Sequence, residues 1–287
     1  MQEVQQVLVA YDRSDMSQEA LKRAISVARQ KTAQLIVIHI IEPLFVQSPY
    51  AKSADEDTIR AEIIKQVDRL NTDIQVEYML FIESGKAADL ITLTAKKTQA
   101  DLLVIGSNGK DDLRSQHFGS TTLKVIQQTH IPVLVVKNKV QTIYQHMIAP
   151  TNLSNYSKES ILFANTLFTK PTRKYLYAFE TVNKLQAMTY QFSDEEAEGL
   201  RQIKTSNAKI ALERFVDEVG GGEMAFIDYS ASINEDLLEY IKKDNIDLLV
   251  LGSKGVGNLN SFVFGSTASF LVHNTPTDVL VYVPLSK

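Results

Sequence analysis

Residues 101–123 read DLLVIGSNGKDDLRSQHFGSTTL, and residues 247–269 read DLLVLGSKGVGNLNSFVFGSTAS. Their glycines fall in step: Gly106, Gly109 and Gly119 recur as Gly252, Gly255 and Gly265, each 146 positions on with no gap between them. The match continues into PVLVV at 132–136 and DVLVY at 278–282. One constant spacing over such a length marks a duplicated unit. Upstream, Ser14 and Ser17 are echoed by Ser154 and Ser157 at a spacing of 140, so the second copy carries a net insertion of six residues before its glycines. Two domains follow, 1–140 and 141–287, and the chain length of 287 residues agrees with about 150 residues per domain. The joint near 138–142 contains neither glycine nor proline. It reads as a plain surface connection between halves that pack together rather than swing on a tether.

Within each half, short β-rich runs alternate with segments of helical period. The strand candidates are Val7–Ala10, Leu35–Ile41, Ile74–Phe81, Leu102–Ile105 and Val133–Val136, then Met147–Ala149, Tyr175–Phe179, Met224–Asp228, Leu248–Leu251 and Val279–Val283. They are apolar on both faces, as strands covered by helices on each side must be. Ala20, Leu21, Ala24, Ile25 and Ala28 recur at 3.6-residue spacing, as do Ile59, Ile63, Ile64, Val67 and Leu70. Strands alternating with helices through right-handed crossovers give an α/β fold, here two tandem doubly wound parallel sheets.

Composition removes whole classes of function. Lys+Arg number 30 against 34 Asp+Glu, a formal net charge of −4 that offers no surplus for a phosphate backbone or an anionic bilayer; neither nucleic acid nor membrane is an expected partner. With no cysteine there is no disulfide framework, thiolate metal site or thiol nucleophile, and a cytoplasmic location is expected. The N-terminus shows no basic region followed by a long apolar run.

In a doubly wound sheet the ligand crevice lies beyond the carboxyl ends of the strands, where the strand order reverses. Both glycine stretches converge there, with the spacing Gly-x2-Gly-x9-Gly-Ser. Glycine lets several backbone N–H groups approach one anion, and Gly119-Ser120-Thr121 opens a helix whose dipole favours negative charge. Ser120 could equally be a simple N-cap. No lysine follows Gly119 or Gly265, so Walker-type phosphoryl transfer is not indicated, and Gly-x-Ser-x-Gly is missing at both turns.

The spacing, between a DLLV(I/L)GS strand and a closing VLV strand, resembles the nucleotide-binding motif of the universal stress protein family, and the opening Val9-Ala10-Tyr11-Asp12-Arg13-Ser14 is similar to that family's first strand. The resemblance covers both halves and implies two Rossmann-like domains holding ATP or another adenine nucleotide; whether magnesium accompanies it stays open. It implies that Asp12 and the backbone of Ile40 meet adenine, that Gly106 and Gly109 approach ribose and phosphates, and that Gly119, Ser120 and Thr121 hold the phosphate chain. The matching positions of the second half are Asn152, Ala178, Gly252, Gly255, Gly265, Ser266 and Thr267. Asn152 departs from the pattern by losing the charge, so the first half is expected to bind at least as well as the second. Asp12 and Asn152 could instead cap the helices that follow them.

The resemblance implies a nucleotide-dependent stress regulator acting through an unknown protein partner; a slow ATP hydrolase and a nucleotide-free scaffold are the alternatives. No catalytic residue is assigned. The five histidines read as structural or solvated, with His117 the one to watch for an anion; Lys110 and Lys254 read as solvated lysines near the glycine loops. The acidic run 194–198 reads as a solvated helix start. A bare apolar edge strand invites aggregation, and the family commonly dimerises through its last strand. The two closing strands are therefore expected to pair within the chain as a pseudo-twofold, with a further homodimer left open.

Overall fold

The computed structural model describes residues 3–42, 52–72, 76–108, 119–140, 143–182, 184–229, 232–252 and 265–284. In the first half the order is β1 Gln6–Ala10, α1 Asp15–Lys31, β2 Gln34–Ile41, α2 Lys52–Leu70, β3 Tyr78–Ser84, α3 Ala87–Lys97, β4 Leu102–Gly106, α4 Ser120–Gln128 and β5 Val133–Val136. The second half runs β6 His146–Thr151, α5 Asn155–Leu167, β7 Thr172–Phe179, α6 Lys184–Thr189, α7 Asp194–Glu218, β8 Glu223–Asp228, α8 Ile233–Lys243, β9 Leu248–Gly252, α9 Ser266–Asn274 and β10 Asp278–Tyr282.

The ten strands among the described residues form one sheet in the order β3-β2-β1-β4-β5-β10-β9-β6-β7-β8. Every neighbouring pair is parallel except β5 and β10, which meet antiparallel at the centre. There Leu134 pairs with Leu280, its own counterpart in the repeat, so a pseudo-twofold axis passes through that contact. The paired residues Val133, Leu134, Val135, Val279, Leu280 and Val281 are all fully buried, and each half covers the apolar edge that the other would expose. Because the halves run in opposite directions, their strands' carboxyl ends open at opposite ends of the sheet.

Helices cover both faces. One core packs α1, α2, α5 and α7 against the sheet through side chains such as Leu21, Ile63, Ile161 and Leu212. The other packs α3, α4, α8 and α9 through Ile91, Val125, Leu237 and Leu271. The expectation of strands apolar on both faces holds for the interior of the sheet but not for its edges: Met79 on β3 and Met224 and Phe226 on β8 are exposed. Ile74, where the third strand is expected to begin, lies outside the described residues, and the described strand runs Tyr78–Ser84. The Asn71 side chain donates to the Val76 carbonyl at 2.8 Å and accepts from its N–H at 2.9 Å, so a side chain satisfies both backbone groups of Val76, and the residue ladder with β2 runs from Tyr78.

The joint is more than a plain surface connection. Asp278, at the start of β10 and 1 % exposed, accepts from the backbone N–H of Lys137 (2.9 Å) and of Asn138 (3.1 Å) and from the Tyr144 hydroxyl (2.7 Å). The Arg23 guanidinium of α1 lies 3.8 Å from the Tyr144 ring centre and 3.9 Å from the same carboxylate. The Lys137 amine donates to the carbonyls of Val272 (2.9 Å) and Thr275 (2.6 Å) at the C-terminus of α9. The duplication offers no second copy of this clasp, since Pro132 and Val283 stand at the equivalent positions.

Burial pushes the Lys137 amine down to about 8, with Asp278 opposing the shift, and burial pushes the Asp278 carboxyl up. For the amine the sign is clear: between about pH 8 and its ordinary 10.5 the unfolded chain holds a proton that the folded chain lacks, so this group adds stability as pH rises. Urea unfolding between pH 7.5 and 9.5 is expected to show a rise that Lys137→Met removes, on the order of 1–2 kcal/mol across the window. Parallel profiles for the two proteins would show that the amine is not desolvated.

Candidate functional site

In the first half the switch point falls between β1 and β4. Beyond β1 the chain turns sharply: Asp12 Oδ1 accepts from the Ser14 N–H at 2.9 Å, and Arg13 sits at φ +68°. The second half repeats this turn, with Asn152 Oδ1 accepting from Ser154 N–H at 3.2 Å and Leu153 at φ +61°. The helix caps themselves are Ser14 and Ser154, whose hydroxyls accept from the N–H groups of Ser17 and Ser157. Asp12 and Asn152 therefore stabilise the turn ahead of the helix instead of capping it. The two differ in what is left over. Asp12 keeps its second oxygen without a partner among the described residues, whereas the Asn152 oxygen also accepts from the Ser157 hydroxyl at 2.8 Å and leaves only amide donors.

At the neighbouring strand, the β1–β2 ladder ends at Ala10 and Ile38, and the Tyr11 N–H donates to the Ile38 carbonyl at 2.9 Å. Backbone groups of alternate residues point the same way, so the N–H and C=O of Ile40 face the space past the end of β1. Ala178 stands likewise beyond the last β6–β7 pairs, Pro150 with Leu176 and Thr151 with Tyr177. His39, 5 % exposed, hydrogen-bonds through Nδ1 to the Tyr11 carbonyl at 2.7 Å, a structural role of the kind read for the histidines.

The glycines do two different jobs. A Cβ on Gly106 would lie 2.9 Å from the Met16 carbonyl carbon of α1, and one on Gly252 would lie 3.2 Å from the Tyr156 carbonyl oxygen of α5. These two let a helix pack directly on the end of a strand, a need that exists without any ligand. Gly119 and Gly265 are the N-cap residues of α4 and α9, both in extended conformation and both without a side-chain cap. Ser120 is consequently the first residue of α4 and not its cap. A Cβ on Gly265 would meet nothing within 4 Å.

Among the described residues no side chain caps the first-turn N–H groups of α4 and α9, including those of Ser120, Thr121, Ser266 and Thr267; α3 and α8 also start without a side-chain cap, while α1, α5 and α7 have serine caps. In the first half two further contacts fix the cradle. Gly119 N–H donates to the Ser107 carbonyl at 2.9 Å, and the buried Thr122 hydroxyl donates to the Gly106 carbonyl at 2.9 Å. Thr122 was not singled out in the sequence; its replacement by Ala268 in the second copy, directly after the matching FGST, was the available signal.

Gly109, Gly255, Lys110, Lys254 and His117 lie outside the described residues. Among the described residues no group of three or more His, Asp or Glu could hold a metal ion. No helix among them is long and apolar enough to cross a membrane.

The family model described as the universal stress protein family matches residues 3–137 and again 143–283. The chain belongs to the universal stress protein family, as a tandem of two family domains. A universal stress protein of Methanocaldococcus jannaschii is 32% identical over 137 residues, 46% of this chain and 81% of that protein. One of Mycolicibacterium smegmatis matches end to end, 23% identical with 97% of each chain covered. Among solved structures, a universal stress protein from Archaeoglobus fulgidus superimposes with a TM-score of 0.66, covering 96% of this chain and 97% of that one at 17% identity, which shows the shared fold.

Proposed function

We propose that the protein is a cytoplasmic stress-response regulator whose two domains, 1–140 and 141–287, each present a site for ATP or a related adenine nucleotide. The observation that carries this reading is the pair of glycine N-caps Gly119 and Gly265, at the same place in both repeats, each opening without a side-chain cap the helix that follows the strand ending at Gly106 or Gly252; α3 and α8 also start without a side-chain cap, but on Lys86 and Ser232. A phosphate chain supplies what those N–H groups lack, and the helix dipole adds to the attraction.

In the first site Ser120 and Thr121 hold the phosphates, Gly106 and Gly109 line the approach, the Ile40 backbone reads the base edge and the free Asp12 oxygen accepts from the adenine amine. The second site uses Gly252, Gly255, Gly265, Ser266, Thr267, Ala178 and Asn152 in the same places. Its base contact is weaker, because the Asn152 oxygen is shared with Ser157. Occupancy, not turnover, is the output, and it is read by a protein partner.

A nucleotide-free scaffold draws support from one observation, the packing role of Gly106 and Gly252. Denaturing the purified protein and identifying the released small molecules by mass decides between the readings. An adenine nucleotide in stoichiometric amount is the expected result. A nucleotide-free protein that also takes up no ATP at millimolar concentration would leave the scaffold.

A further inference from the structure

The second copy's net insertion falls with α6 and the start of α7, and it builds a feature that neither the sheet nor the candidate sites require. The turn joining the two helices is tightly made. Gln191 takes φ +56°, its N–H donates to the Met188 carbonyl at 3.2 Å, and the Phe192 N–H donates to the Ala187 carbonyl at 2.9 Å. Ser193 and Glu196 close it with a reciprocal capping box on α7. The helix is anchored below by Arg201 Nε on the Val182 carbonyl (2.8 Å) and the Lys204 amine on the Glu180 carbonyl (3.3 Å).

This ordered turn holds large apolar groups out in solvent. Met188 is 77 % exposed, Tyr190 69 % and Phe192 37 %, and the two rings stack on each other at 5.9 Å instead of against the core. Aromatic residues and methionine fixed on a surface are the side chains that anchor protein interfaces, and their ordering cost is already met by the turn. Directly after them come Asp194, Glu195, Glu196 and Glu198, all exposed. Glu196 is held by Ser193 and Glu198 by Arg201, while Asp194 and Glu195 form no ion pair among the described residues.

We propose that the α6–α7 turn is a docking site for a basic amphipathic polypeptide segment, with apolar residues that seat on Met188, Tyr190 and Phe192 and lysine or arginine that meets the acidic collar. Charge decides among the occupants. An anionic lipid surface would be repelled by the collar, and two copies of the turn meeting across a twofold would bring their collars together in a chain of formal net charge −4. The inference is independent of nucleotide binding.

The test measures binding of the full chain to a fluorescent synthetic helix of leucine and lysine and to its leucine and glutamate analogue. The lysine peptide is expected to bind and the glutamate peptide to fail. Met188→Ser with Tyr190→Ser, and separately Asp194→Lys with Glu195→Lys, should each weaken binding by roughly tenfold or more; circular dichroism melting should stay unchanged in the first pair and fall only slightly in the second, whose lysines oppose the α7 dipole but leave the protein folded. The proposal is overturned if the lysine peptide does not bind, if both variants bind it like the parent, or if the turn instead drives self-association or binding to anionic vesicles.

Discussion

Val281→Lys is expected to lose about 4 kcal/mol or more of unfolding free energy, or to yield no folded protein at 37 °C. Val281 is fully buried and pairs with Val133 across the pseudo-twofold, where β10 meets β5. Its side chain lies in the core that also holds Val135, Leu251 and Ile105. An ammonium placed among those apolar side chains must either desolvate or part the two strands. Parting them exposes two apolar edges at once, so the damage reaches both halves. Guanidinium unfolding followed by far-ultraviolet circular dichroism measures the loss. Wild-type stability in this variant, with scattering that shows two separate lobes, would mean that the halves do not share a sheet.

Gly106→Ala is the second large effect, on the order of 2–3 kcal/mol, from overpacking. The added methyl would stand 2.9 Å from the Met16 carbonyl carbon and 3.0 Å from its oxygen, and the obstacle is helix backbone that cannot rotate away. Relief requires α1 to lift from β4, disturbing the turn at Asp12 as well. The loss should therefore be measured without nucleotide. A variant as stable as the parent would show that α1 does not bear on the end of β4.

The repeat made the architecture legible early. Strands β5 and β10 could be paired in advance because each is short, apolar on both sides and an edge of its own domain, so only a mutual contact hides both. Strand β3 was less legible: Val76 is the right residue type for a strand, yet the Asn71 side chain takes both its backbone groups, and Ile74 lies outside the described residues. Asp278 looked like a mere strand entry, because its partners, Lys137, Asn138, Tyr144 and Arg23, are more than 130 positions away or belong to the other domain. No local pattern announces such a clasp.

The site was legible as a set of positions but not as a set of roles. Gly106 and Gly119 belong to one motif and look alike as letters, yet one is glycine for the sake of a helix behind it and the other leaves a helix start uncapped. Likewise Asp12 reads as a cap by composition, and only the turn geometry shows that Ser14 takes that role and leaves one carboxylate oxygen over.

That uncapped start is where the central claim is most exposed to test. Gly119 and Gly265 adopt φ −62°, ψ 149° and φ −61°, ψ 148°, a conformation that aspartate accepts, and at Gly265 the added side chain meets open space. Gly119→Asp and Gly265→Asp should each cap their helix and hold or slightly raise stability, by a few tenths of a kcal/mol. The same carboxylate would occupy the N–H groups and repel a phosphate. Calorimetric titration with ATP should show binding to the parent, a loss of roughly 100-fold at the tighter site in Gly119→Asp, and loss of only the weaker site in Gly265→Asp. Titration heats that are the same in all three proteins, or absent from the parent up to millimolar ATP, would contradict the account.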